Sequence, residues 1–150
     1  MRIGDWIRRV VFVASAGAVA ALPLSAASQA NSGHLLIYSI DVEGGQATLL
    51  VTPQKASLLV DTGWPDNNGR DTDRIQAAMK DAGITKLDHV LITHFHVDHV
   101  GGVPNLVQKV KVGEFLDHGV NREDSDITRH DYAAYVKAIG NTPDRKSVVT

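Results

Sequence analysis

Three histidines and one aspartate fall within six consecutive residues, His94-Phe95-His96-Val97-Asp98-His99. Imidazole and carboxylate are the ligands typical of catalytic zinc, and with no cysteine in the chain no thiolate can join them. In an extended segment side chains two residues apart share a side, which places His94 and His96 to reach one ion. Asp98 and His99, in the turn that follows, can serve a second ion, since two-metal sites hold their ions ~3.5–4 Å apart. The alternative is a His-rich surface tract, but such a tract would not sit between a β-branched strand and an amphipathic helix with an aspartate interleaved. Gly101 and Gly102 then let the backbone fold tightly into the next helix.

The elements that must position this cluster can be read from periodicity. Residues 35–42 are mostly apolar and read as a buried strand, broken by Gly44-Gly45. Residues 47–52 and 57–61 are two further β-type runs at hairpin spacing around Pro53-Gln54-Lys55. A polar loop over residues 62–70 leads to a helix with the apolar stripe Ile75, Ala78, Met79 and Ala82, stopped by Gly83. The pattern then alternates. Residues 88–93 form a strand ending at the cluster. Val103, Leu106, Val107 and Val110 form a helical stripe with Pro104 near its start, and residues 112–117 form the next strand, completing a βαβ unit. Tyr132, Tyr135, Val136 and Ile139 mark another helix, stopped by Gly140, and residues 147–150 open a further strand. In such an α/β arrangement functional groups gather beyond the carboxyl ends of the parallel strands, where the cluster lies.

Thr93-His94-Phe95-His96-Val97-Asp98-His99, followed by Gly101-Gly102, resembles the HxHxDH signature of the metallo-β-lactamase superfamily. Leu58-Leu59-Val60-Asp61-Thr62-Gly63 is similar to that superfamily's earlier strand ending in Asp-x-Gly, and Ile40-Asp41-Val42 with Gly44-Gly45-Gln46 resembles the branch that includes the extracellular hydrolase domain of DNA-uptake competence proteins. The resemblance covers about residues 35–120. It implies an αββα sandwich of which this chain holds the N-terminal half, a mixed sheet with flanking helices whose inner face lies exposed. It implies that His94 and His96 ligate a first metal and Asp98 and His99 a second, with two zinc ions expected and iron or manganese left open. Asp61 would brace the ligand loop by hydrogen bonds, or else cap the turn at Thr62-Gly63, and Gly63 would let the backbone turn beside the site.

The reaction so implied is hydrolysis by a metal-bound hydroxide, with Asp98 orienting it or taking its proton. Lactams, lactones, thioesters and phosphodiesters are the substrate classes. The family's remaining ligands, two histidines and a bridging carboxylate, lie C-terminal to the signature. After His99 the chain offers His118 and His130, neither in that context. His118 ends a strand on the same rim, where it can touch substrate, hydrogen-bond a ligand or be structural; His130 lies on the polar side of its helix and reads as solvated surface. His34 and His89 flank strands outside the motif. Two other readings stay open: a truncated, non-catalytic metal-binding fragment, and an iron-dependent oxidoreductase relative. The pattern stops in a strand just begun, so a fragment with an incomplete site, inactive by itself, is expected.

The 150 residues suit one domain, and 43% hydrophobic with 21% charged residues is ordinary globular composition. Residues 1–30 stand apart as a secretory signal: Arg2, Arg8 and Arg9 precede an apolar run that Pro23 ends short of a bilayer span, and Ser28-Gln29-Ala30 offers a cleavage site. The adjacent arginines leave a twin-arginine route open. Export to the periplasm or beyond follows as an expectation. Cleavage takes three arginines and Asp5 from 15 basic and 17 acidic side chains, leaving 12 and 16, a balance that argues against a nucleic-acid partner. A small-molecule or ester substrate is the partner expected, with no membrane span once the signal is removed.

Overall fold

The computed structural model describes residues 33–140 and 145–147. The expected signal peptide, and the end of the last expected strand at residues 148–150, lie outside them.

Among the described residues six strands make one sheet in chain order: β1 (Leu36–Ser39), β2 (Thr48–Val51), β3 (Ser57–Val60), β4 (Lys86–Leu91), β5 (Lys111–Asp117) and β6 (Arg145–Ser147). The first two pairings are antiparallel and the remaining three parallel. The β2–β3 hairpin closes as its turn residues predict, with Thr52 N–H donating to Ala56 O and Lys55 N–H to Thr52 O. Each parallel step needs a crossover, and helices supply it: α1 (Arg70–Asp81) between β3 and β4, α2 (Val97–Val100) and α3 (Val103–Lys109) between β4 and β5, and α4 (Asp126–Ile139) between β5 and β6. The result is a mixed sheet with flanking helices, the α/β class expected. No helix among the described residues is long and apolar enough to cross a membrane.

The core forms where the two periodicities meet. Leu49, Val51, Leu59, Val90 and Phe115 from the sheet join Ile75, Met79, Val103, Leu106, Tyr135 and Ile139 from the helices in one buried cluster. Each such side chain taken fully from water contributes roughly 1.5–3 kcal/mol, so the helical stripes hold the crossovers against this one face. The alternate residues behave differently. Ile37, Leu50, Leu58 and His89 stand in register on the other face, where Leu50 and Leu58 are only half-buried and Ile37 is 64% exposed.

Four expectations need correcting. The first strand is not buried: among the described residues it is an edge strand with β2 as its only partner, so Leu35 and Ile37 face solvent. It also stops at Ser39, where Asp41 Oδ1 accepts the N–H of Glu43 and turns the chain. The strand before the cluster runs from Lys86 to Leu91 rather than over 88–93, because the N–H of Thr93 goes to a side chain instead of the ladder. The turn expected at Asp98 and His99 is the one-turn helix α2, whose first bonds run from His99 N–H and Val100 N–H back to His96 O. The last strand begins earlier, at Arg145.

Candidate metal centre

The parallel strands β3 and β4 end side by side, and their next residues build the site. Asp61 follows β3 in the left-handed region, φ 57°, a conformation that costs most side chains strain and that aspartate tolerates better. Its carboxylate is completely buried. It accepts from Thr93 N–H at 2.8 Å, from Thr93 Oγ1–H at 2.7 Å and from His99 Nδ1–H at 2.8 Å. A carboxylate only accepts, so both the hydroxyl and the imidazole give it their protons. The donors explain how it can be buried without solvent. Asp61 thus stitches the end of β4 and helix α2 to β3, beyond the turn cap considered for it.

Thr93 passes the constraint on. With its one hydroxyl proton directed to Asp61, its oxygen can only accept from His94 Nδ1, 3.1 Å away. Both His94 and His99 are thereby set as Nδ1–H tautomers whose lone pair lies on Nε2. Burial, followed by the neighbouring His99 and His96 imidazoles, holds the His94 pKa below its ordinary value, which favours the neutral ring a metal needs. His96 is held from the other side: its Nε2 lies 2.9 Å from Glu123 Oε2 on the loop between β5 and α4.

The three rings pack together, His94 with centroids 4.0 Å from His99 and 4.7 Å from His96. Asp98 Oδ2 lies 3.6 Å from His99 Nε2. His94, expected to pair with His96, therefore packs at least as closely on His99 of the other expected pair. Among the described residues no three His, Asp or Glu side chains stand ready to hold an ion as they are. The donor chemistry nevertheless fits a divalent metal: three clustered imidazoles, two given tautomers by Asp61 and Thr93, with a carboxylate beside them.

The backbone around the cluster allows little freedom. Thr62 N–H and Oγ1–H both donate to His99 O, and Gln46 N–H donates to Asp98 O. Gly63, at φ 71°, has no room for a Cβ, which would come within 2.5 Å of Asp71 Oδ2. Asp71 uses that oxygen to accept from Trp64 N–H, fixing the loop that leaves the site. At Gly102 a Cβ would lie 2.1 Å from Thr62 O, so close approach of the two segments requires glycine there.

The other histidines lie apart. His118 is exposed just past β5, its ring 4.7 Å from Phe95, so it shares the rim through Phe95 rather than through the imidazole cluster. His130 is solvent-exposed on α4, and His89 pairs with Glu114 on the open sheet face. Sequence reasoning missed Thr93 and Glu123. Thr93 adjoins the motif and could have been weighed as a hydroxyl within reach; Glu123 is separated from His96 by a helix and a strand, and no sequence signal pointed to it.

The family model of the metallo-beta-lactamase superfamily matches residues 40–150. The chain belongs to this superfamily. Curated relatives include an atrochrysone carboxyl ACP thioesterase of Aspergillus terreus, 42% identical over 69 residues, covering 43% of this chain and 19% of that protein. A protein of the same description from Claviceps purpurea is 30% identical over 87 residues, covering 58% of this chain and 26% of that protein. The aligned stretch thus spans about a fifth to a quarter of those relatives. Among solved structures, a HARLDQ-motif mutant of a metallo-beta-lactamase from Cronobacter sakazakii superposes with a TM-score of 0.43 at 20% identity, covering 53% of this chain and 30% of that one.

Proposed function

We propose that this superfamily member is the metal-binding part of an exported zinc-dependent hydrolase, with His94 and His96 serving one ion and Asp98 and His99 a second. The observation that carries the reading is the packing of three imidazoles within 4.0–4.7 Å, His94 and His99 each tied through one ring nitrogen to Thr93 or Asp61. Metal-ligating histidines recurrently donate their other N–H to a protein oxygen in this way. Divalent ions bound there supply Lewis-acid activation of water and of the substrate oxygen.

The chain's own residues would do the rest. Asp61 holds the His99 ring and, through Thr93, that of His94. Asp98, beside His99 Nε2, would orient the attacking water and take its proton at a carboxylate oxygen. His118 offers a hydrogen-bonding group at the rim for substrate. Acyl thioesters are the substrate class put first, because thioesterases are among the aligned relatives. Export rests on the basic start, the apolar run and the small residues at 28–30.

The test is zinc content. The purified chain is expected to retain zinc, and a His94→Ala/His96→Ala double variant to lose most of it. Equal metal in the two, measured by elemental analysis, would overturn the proposal. Release of free thiol from an acyl thioester, dependent on added zinc, tests the substrate class.

A further inference from the structure

His96 differs from the other two histidines of the cluster in how it is held. His94 and His99 are tied through Nδ1 to Thr93 and Asp61, whereas His96 is tied through Nε2 to Glu123 Oε2 at 2.9 Å. Glu123 comes from outside the signature, and the segment carrying it is anchored from both ends. Asp117, buried at the end of β5, accepts from Gly119 N–H and from the hydroxyl of the fully buried Tyr135, each at 2.8 Å. Asn121 then ties the loop to α4. Its Oδ1 accepts from Glu123 N–H at 3.1 Å, while its Nδ2 donates to the buried Thr128 Oγ1 at 3.1 Å and, more weakly, to Glu123 O at 3.4 Å. The backbone that presents Glu123 is thus fixed from α4 even though its side chain is 52% exposed.

The geometry points to Glu123 as a positioning residue of the metal centre, one that rests on the metal reading above. A carboxylate accepts only, so its contact selects the tautomer of His96 with the proton on Nε2 and leaves the lone pair on Nδ1. Without that acceptor the neutral ring samples both tautomers and rotates, and part of the population offers a metal the wrong nitrogen. Loss of such an outer partner commonly weakens metal binding about 10–100-fold. Because His96 is itself 50% exposed, water can replace part of the contact, and the lower end, about tenfold, is expected.

The experiment compares the full chain with Glu123→Ala, Glu123→Gln and Asn121→Ala. Ring-nitrogen NMR on metal-free protein, in buffer alkaline enough for the imidazoles to be neutral, reads the His96 tautomer. Competition with a chromophoric chelator reads zinc affinity. Glu123→Ala is expected to shift His96 toward a tautomer mixture and weaken zinc about tenfold with an unchanged unfolding midpoint. Glu123→Gln, whose amide oxygen still accepts, should restore most of both. Asn121→Ala, which keeps the carboxylate but frees its backbone, should move both readings in the direction of Glu123→Ala by less. An unaltered His96 tautomer in Glu123→Ala, or zinc binding as tight as wild type, would overturn the role of Glu123. A wild-type chain that takes up no zinc would instead overturn the metal centre itself, and the two failures are read from different samples.

Discussion

The two walls of the candidate metal centre are built on opposite plans. The wall from β3 and β4 centres on a completely buried carboxylate, Asp61, with three donors on its two oxygens. The wall from the β5–α4 loop reaches the cluster through Glu123 and His96, each about half exposed. Burial is the difference that matters energetically. A buried charge that loses its partners cannot turn to water, whereas an exposed one can, so the first wall couples the site to the stability of the fold and the second affects the site almost alone.

Removing Asp61 is the most severe way to test that contrast. Asp61→Ala leaves Thr93 N–H, Thr93 Oγ1–H and His99 Nδ1–H without their acceptor and puts alanine at φ 57°. Each of these donors that water cannot reach costs about 1–3 kcal/mol when left without an acceptor, and denaturant unfolding should read that loss together with loss of zinc. Asp61→Asn tolerates the backbone angle and retains one acceptor oxygen, so its loss should be smaller. An Asp61→Ala protein as stable as wild type would erase the distinction between the walls.

Thr93→Val gives a finer test within the first wall. It preserves shape but removes the hydroxyl between Asp61 and His94. One lost hydrogen bond to a charged group in a partly buried site implies about 1–2 kcal/mol, and the His94 tautomer, read by ring-nitrogen NMR, should become mixed while that of His99 stays fixed. If His99 changes equally, the two rings are not held separately as described.

The same contrast decides what could be read in the sequence. The helices were legible because burial imposes a period: Ile75 and Met79 on α1 with Ala82 just past its end, and Val103 and Leu106 on α3 with Val110 just past its end, are all buried as their spacing requires. The parallel order was legible from alternation, and Asp61 and Gly63 from their likeness to a family pattern. Long-range polar contacts leave no period. Nothing about Glu123 in its own segment distinguishes it from Asp124 or Asp126, and its contact with His96 exists only once β5 and α4 are in place. The end of β4 was misplaced for the same reason, since the acceptor that draws Thr93 out of the ladder is 32 residues away.

The far end of the β3–β4 pair offers a milder counterpart to Asp61. There Asp88 accepts from Ser57 N–H at 3.0 Å and from Lys86 Nζ at 2.7 Å, so a carboxylate again links the two strands, but one only partly buried. The Lys86 ammonium, opposed by some desolvation and helped by Ser57 N–H, holds its pKa below the ordinary 3.8. A carboxyl more acidic in the folded than in the unfolded chain contributes stability that is fully present above the unfolded value and is lost as pH falls through the folded one. Asp88→Asn should therefore lower stability by about 1 kcal/mol near neutral pH and flatten the decline below pH 3.8, as followed by unfolding midpoints across acid pH. Lys86 is largely exposed, so high salt should weaken the part of the effect that its ammonium supplies and leave the part carried by the Ser57 bonds. A loss as large as that of Asp61→Ala would mean that strand linkage, rather than burial of the carboxylate, sets the cost, and the contrast between the two walls would need another cause.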